Sequence, residues 1–324
     1  MPDTSSSRPS PQATDIVVVG STIMDLTSYL PHEVKEGETV IANRFEVGLG
    51  GKGANQAVAA ARAGGRVSFI GRIGNDSFGE RISTGLASEN IDLTHLEQVP
   101  GDTANATIWV QEDGANRIAV YLGESAHIDP ESVGRSVASY PDAGFYVTQL
   151  ELKQPVGLAG LKAAKACGMT TVLNIAPYAP LDPDTLPHTD WLIANEVELG
   201  DLLASLGVEA SIDAPAEQLM SQLPEWVDTL GVNLIVTLGS EGAIGATASD
   251  APVFVTAPKV AAVDTVGAGD CFVGFFVAAM SQGKTWAEAM GSGVRAASES
   301  VTRPGAQASY PAAQDAERIH AGTE

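Results

Sequence analysis

Short runs of apolar, often β-branched residues recur along the chain at intervals of about one helix: IVVVG (16–20), VSFIGRI (67–73), GFYVTQL (144–150), TTVLNI (170–175), WLIAN (191–195) and NLIVTLG (233–239). Near-continuous apolar runs suit strands that are covered on both faces, because neither face is left to water. Helical spacing of apolar positions fills much of the rest, over 53–64, 77–89, 155–167, 196–206, 215–230, 268–282 and 286–301. Several of these patterns are closed by a glycine, as at Gly64 and Gly168. The alternation predicts an α/β protein with a mostly parallel central sheet and helices on both faces.

Two segments break the pattern. LTSYLPHEVKEGETVIANRFEV (26–47) and DTANATIWVQEDGANRIAVYL (102–122) alternate apolar and polar residues as hairpins do, the second with Asp113-Gly114 near its turn. Each follows a main-sheet element, so both are expected to project from the strand ends as a small β-sheet lid, where open α/β sheets bind ligands. The organisation expected is a disordered Pro/Ser-rich tail over 1–14, one α/β domain over 15–315 carrying the lid, and a C-terminal tail over 316–324. The first of these, MPDTSSSRPSPQAT, lacks the apolar stretch of an export signal.

Composition narrows the partners. With 40 acidic against 18 basic residues the net charge is -22, which argues against nucleic acid or an anionic membrane. An anionic ligand then needs locally placed donors. Two cysteines, Cys167 and Cys271, are too few for a disulfide framework, and no run reaches membrane-spanning length. A cytoplasmic protein is expected.

The candidate chemistry lies in two glycine clusters. Gly48-x-Gly50-x-x-Gly53 opens an Ala-rich helix and invites comparison with a dinucleotide-binding turn. That turn should follow the first strand of a βαβ unit, with an acidic residue at the end of the next strand. Here the first strand lies well upstream and the corresponding position is Arg72. An NADP enzyme tolerates an arginine there, so a nicotinamide-dependent dehydrogenase stays open as a distant alternative. The second cluster, Asp264-Thr265-Val266-Gly267-Ala268-Gly269-Asp270, runs straight into a long apolar helix. Its N–H groups at Gly267, Ala268 and Gly269 are expected to be unpaired at a helix N-terminus, which carries about half a positive charge and attracts anions. Asp270 is either a carboxylate complementing the helix dipole or, beside the space that the small residues clear, a general base for a substrate hydroxyl.

GGKGANQAVAAARAGG (50–65) and DTVGAGD (264–270) resemble the two signatures of the ribokinase-like (PfkB) carbohydrate kinases. GSTIMDL, GETV, QLE, NEVE, TLGSEG and VTRPGAQASYP are also similar to family segments and stand in family order from about Asp15 to Pro311. The resemblance implies ATP-dependent transfer of a phosphoryl group to a sugar, D-ribose at its 5-hydroxyl above others, with another sugar or a nucleoside as the alternative acceptor. It implies that Asp25, Gly51, Asn55 and Glu151 bind sugar, with Lys52 toward the phosphates, and that Asp270 is the base. Gly267, Ala268 and Gly269 would form the anion hole. Asn195 and Glu198 would organise Mg²⁺ near the phosphates, and Thr237, Gly239, Ser240 and Gly242 would line the adenine nucleotide. Asp264, Val266, Ser300, Arg303, Gly305 and Ser309 resemble the loops that hold a monovalent cation, usually K⁺.

Three departures from the family pattern fall near the expected pocket: Ile23 in place of an Asn, Asn105 in place of an aliphatic residue, and Glu124 in LGESA. Apolar alternation in the lid, including Ile108, Trp109, Ile118 and Val120, exceeds what one face of a small sheet buries alone, so a homodimer through the lid is expected.

Overall fold

The computed structural model describes residues 14–322, so the expected N-terminal tail lies outside the described residues except for Thr14. Strand β1 (Ile16–Val19) leads into β2 (Ile23–Leu30), which leaves the main sheet and pairs with β3 (Arg44–Gly50). Then come α1 (Lys52–Arg62), β4 (Val67–Gly74), α2 (Ser77–Ser88) and β5 (Leu96–Val99), followed by a second excursion, β6 (Asn105–Gln111) and β7 (Asn116–Tyr121). The chain returns through α3 (Pro130–Ala138), β8 (Phe145–Gln149), α4 (Gln154–Ala166), β9 (Thr170–Asn174) and β10 (Trp191–Asn195). It continues with α5 (Glu196–Ser205), α6 (Ala216–Leu230), β11 (Asn233–Thr237), β12 (Gly242–Ala246) and β13 (Val253–Thr256), and closes with α7 (Ala268–Ser281), α8 (Trp286–Ser300) and α9 (Ala316–Ala321).

The main sheet has nine strands in the order β13-β12-β11-β10-β9-β8-β1-β4-β5, parallel from β11 to β5, with β12 and β13 antiparallel at one edge. Both faces are covered, as the apolar runs predict. Within β1, Ile16 and Val18 pack with α1, α7 and α8, whereas Val17 and Val19 pack with α3 and α4. Leu173, Leu192 and Leu234 meet α5 and α6. Helix α7 is apolar nearly all round and buried from Asp270 to Ala279, so it forms the centre of one layer. Helix α1 lies unusually close to the sheet at one point: a Cβ on Gly53 would stand 2.5 Å from the Gly20 Cα. Only glycine permits that approach, which seats the start of α1 directly over the end of β1.

The lid is a four-stranded sheet, β3-β2-β6-β7. The two expected hairpins are joined by parallel pairing of β2 with β6, because both strands leave the main domain in the same direction. The lid also starts earlier than position 26, at Ile23, while 31–43 is irregular. The expected C-terminal tail is corrected too. Residues Ala316–Ala321 form α9, with Ile319 only 2% exposed, its carbonyl accepting from Arg295 Nε at 2.6 Å, and His320 Nε2 2.9 Å from the Ala63 carbonyl.

Candidate active site

Parallel pairing brings the C-terminal ends of β1, β8, β9, β10 and β11 to one edge, so Glu151, Asn174, Asn195 and Thr237 arrive there from distant parts of the sequence. The two glycine clusters meet them. Helices α1 and α7 pack side by side, and the Asp270 carboxylate, 5% exposed, lies against α1. Asn55 Nδ2 donates to Asp270 Oδ2 at 3.0 Å and Gln56 Nε2 donates to Oδ1 at 2.9 Å. Behind them Gln149 donates to Gln56, and Gln307 donates to Asn55. An acidic side chain at the first turn of an ordinary surface helix needs no such setting, so the dipole-complementing reading of Asp270 does not account for its burial.

The first glycine cluster is not a dinucleotide turn. Gly48 and Gly50 belong to lid strand β3, and only Gly51 and Gly53 sit at the start of α1. The dehydrogenase alternative loses its motif here, because no βα turn of the main sheet carries the glycines. Instead Gly50 makes room for Asp25: a Cβ on Gly50 would sit 2.8 Å from the Asp25 carboxylate carbon. Gly51, at φ 88°, caps α1 and turns its chain against Thr22 and Ile23.

Around this floor the charges are dense. Burial, with Glu151 nearby, pushes the Asp25 carboxyl up to about 6. Burial also raises Glu151, partly offset by hydrogen bonds from the Ser21 hydroxyl and from the Lys52 N–H, the latter at 2.7 Å. Burial alone would lower the Lys52 ammonium, but the fields of Asp270, Glu151 and Glu198 outweigh it and hold the amine above its ordinary value. Lys52 thus stands among three carboxylates contributed by three separate elements. Glu198 is itself raised by burial; it closes a capping box at the start of α5, accepting from the Asn195 N–H at 3.0 Å while Asn195 Oδ1 accepts from the Glu198 N–H at 2.8 Å.

Gly267 caps α7 in the left-handed region, φ 74°, and its carbonyl accepts from Tyr310 OH at 3.0 Å. A side chain there is excluded twice, by φ and by Ala306, whose Cβ would lie 2.8 Å away. The first-turn N–H groups of Gly269 and Asp270 have no acceptor within the helix. Ala268 corrects the expectation of a fully unpaired set, since its N–H makes a long 3.3 Å turn bond to the Thr265 carbonyl. A Cβ on Gly269 would meet nothing within 4 Å, so open space adjoins the helix N-terminus beside Asp270. An anionic group fits that combination of space and donors.

On the expected nucleotide side, Thr237 ends β11, and Gly239 and Ser240 form an exposed turn after it. Gly242 has a structural reason of its own: a Cβ would stand 2.0 Å from the Val255 carbonyl oxygen on β13. In the expected cation loops, Asp264 spends both oxygens on backbone, accepting from Val266 N–H at 3.0 Å and Gly305 N–H at 2.8 Å. It therefore ties the two loops together. The Ser300 and Ser309 hydroxyls donate to the carbonyls of Ala297 and Ala306, and the Arg303 side chain turns outward to Glu299.

Of the three departures, one adjoins the floor. Ile23 is 4% exposed in an apolar cluster with Ala104 and Ala106, and shares a face of β2 with Asp25 two residues on. Asn105 does not edit the pocket. Asp25 pairs with Ala106, so Asn105 lies on the other face, where it donates to the Thr103 carbonyl at 3.3 Å. Glu124 is beyond the lid, 3.8 Å from Arg72. Sequence reasoning passed over Ser21, Gln56, Gln149, Asn174 and Gln307, all of them buried polar residues around the floor. Gln56, next to Asn55 in the first glycine cluster, was the one with a local signal.

A lid over a parallel-sheet edge, a buried carboxylate at a helix N-terminus and a donor-lined open space define a group-transfer site for a small hydroxylated acceptor and an anionic donor. The profile of the pfkB family carbohydrate kinases matches residues 13–313, and the chain belongs to that family. It is an ATP-dependent sugar kinase. The deoxyribokinase of Salmonella typhi is 36% identical over 301 residues, covering 92% of this chain and 95% of that protein. The ribokinase of Haemophilus influenzae is 34% identical over 302 residues, covering 93% and 96%. Among solved structures, Arabidopsis thaliana ribokinase complexed with ribose and ATP is 30% identical with a TM-score of 0.85, covering 95% of this chain and 99% of that one.

Proposed function

We propose that the protein transfers the γ-phosphoryl group of ATP to the 5-hydroxyl of D-ribose, giving ribose 5-phosphate and ADP. The observation that carries this reading is the Asp270 carboxylate, buried between two amide donors at the first turn of α7 and bordered by the open space at Gly269. Asp25, Gly51, Asn55 and Glu151 take the sugar hydroxyls. Asp270 accepts the hydroxyl proton as the new O–P bond forms and the bond to ADP breaks, while the N–H groups of Gly267 and Gly269 at the start of α7, with Lys52, face the negative charge of the phosphoryl group and Ala268 holds the turn between them. Thr237, Gly239, Ser240 and Gly242 lie on the nucleotide side.

The donor set suits Mg²⁺ held largely by water and phosphate. Among the described residues no group of three or more His, Cys, Asp or Glu side chains forms a metal cluster, whereas Asn195 and Glu198 place one carboxylate near Lys52 and Asp270. Bound there, the ion would neutralise phosphate charge. For K⁺ the fit is a loop one: Asp264 ties the 264–266 and 303–309 segments together by accepting from the N–H groups of Val266 and Gly305, and a cation between them would be held by backbone carbonyls of these segments, with Ser300, Arg303 and Ser309 in the turn.

A second reading, 2-deoxyribose as the better acceptor, is favoured by Ile23. Its buried apolar side chain stands beside Asp25, where a hydroxyl would lose a partner. The similarity to a deoxyribokinase supports the same direction. ADP formation across ribose, 2-deoxyribose, arabinose and nucleosides decides the acceptor. Ile23→Asn is expected to shift the ratio of kcat/KM toward ribose by about 10-fold, the worth of one hydrogen bond. An unchanged ratio removes Ile23 from specificity, and turnover of a nucleoside alone overturns the sugar assignment.

A further inference from the structure

The side chains around Asp270 form two chains of amides, and their orientations are fixed by the groups at their ends. The Ile193 carbonyl can only accept, so Asn174 presents Nδ2 to it at 3.0 Å and turns Oδ1 toward Gln56. Gln56 must then direct Nε2 to Asn174 Oδ1 at 3.1 Å and to Asp270 Oδ1 at 2.9 Å, which leaves its Oε1 to accept from Gln149 at 2.6 Å. On the other side Asn55 donates to Asp270 Oδ2, so its Oδ1 accepts from Gln307 at 3.0 Å. Gln56 is 1% exposed and Gln307 8%. The Gln307 carbonyl is in turn held by Arg62 at 2.7 Å. Gln149 through Gln56, and Gln307 through Asn55, donate inward and end on different oxygens of one carboxylate, while a branch from Gln56 runs outward through Asn174 to the Ile193 carbonyl. Flipping any one amide would set two donors or two acceptors face to face.

We infer that Gln56 and Gln307 are positioning residues for the transfer reaction, with separable effects: Gln56 sets the plane of the Asp270 carboxylate, and Gln307 sets Asn55, which faces both sugar and base. The inference rests on the reading of Asp270 as the base. Gln56 touches Asp270 but no expected sugar contact, so its loss should appear in kcat. Gln307 reaches Asp270 only through Asn55, so its loss should appear in the KM for sugar as well. A side chain that merely supported the fold would change the active fraction or the melting temperature without that asymmetry.

The test measures kcat and sugar KM from ADP formation in the full-length protein, with active-site concentration set by nucleotide titration. Gln56→Met is expected to lower kcat by about 10- to 100-fold, the scale of a catalytic group misplaced by an ångström, with sugar KM within about 3-fold. Gln307→Met is expected to raise sugar KM by about 10-fold, the worth of one hydrogen bond, with a smaller fall in kcat. If Gln56→Met does not fold, Gln56→Asn keeps an amide but withdraws it by one methylene, and carries the same expectation. Asp270→Asn separates the two levels. If it retains turnover, the reading of the base fails. If it is inactive while the Gln56 and Gln307 variants match the parent, or both lose kcat and KM in the same proportion, the positioning roles are overturned.

Discussion

Asp270 is a buried carboxylate and Asp25 a half-buried one, and their surroundings differ. Asp270 receives one amide N–H on each oxygen, whereas Asp25 lies over Gly50 with Glu151 close by and is pushed up to about 6. Asp270→Asn keeps size and polarity but cannot take a proton, so kcat should fall by about 10²–10⁴ while ATP affinity, measured by calorimetry, changes by only a few-fold. Retained turnover would exclude it as the base. For Asp25 the raised value means that the folded protein binds a proton more tightly than the unfolded chain, so ionising it costs stability. That cost is absent below the ordinary carboxylate value near 3.8, grows as pH rises, and is complete above about 6. Asp25→Asn should therefore raise the melting temperature more at pH 7.5 than at pH 4.5, and raise sugar KM because the amide is a poorer acceptor than the carboxylate. The parent's sugar KM should climb as pH falls through about 6. A melting difference independent of pH would show that Asp25 is not held in this state.

At the level of elements, the lid presents one face to the site and extends it outward. Along β6 and β7 the face that carries Asp25 at its base continues through Ile108, Ile118 and Val120, with Ile118 57% and Val120 52% exposed. A second lid packed there would cover the apolar surface and brace the lid strands. Sedimentation at micromolar concentration should show a dimer, and Ile118→Asp should give a monomer with a raised sugar KM; a monomeric parent, with and without sugar, would refute the pairing. This element also shows where sequence runs out. Strands β1, β4, β8, β9, β10 and β11 were legible because burial on both faces leaves an unbroken apolar run. β12 is Gly-Ala-Ile-Gly-Ala, too small and too short to carry that signal, and β13 has four residues. Asp270 and the glycines before it were legible as one cluster because a helix N-terminus writes its chemistry into consecutive residues. Gln149, Asn174 and Gln307 were not, since they reach the floor from β8, β9 and a late loop, and only the parallel sheet order brings them together.

Across the whole molecule a net charge of -22 must coexist with an anionic co-substrate. The positive groups beside Asp270 are the N-terminus of α7 and Lys52, so binding of the co-substrate is expected to be favourable at contact while its approach is opposed by the field of the rest of the surface. The two effects have different ranges. The contact is within a few ångströms and little screened, whereas the approach extends to the Debye length, about 30 Å at 0.01 M salt and about 8 Å at 0.15 M. Raising ionic strength with choline chloride, at constant K⁺ and Mg²⁺, should therefore increase kcat/KM for ATP across that interval. The same titration at saturating ATP should leave kcat/KM for the uncharged sugar flat, which separates screening of the co-substrate from a general effect of salt on the enzyme. A fall in kcat/KM for ATP with added salt would mean that the local donors steer nucleotide from a distance, and that the acidic surface does not govern its encounter with the site.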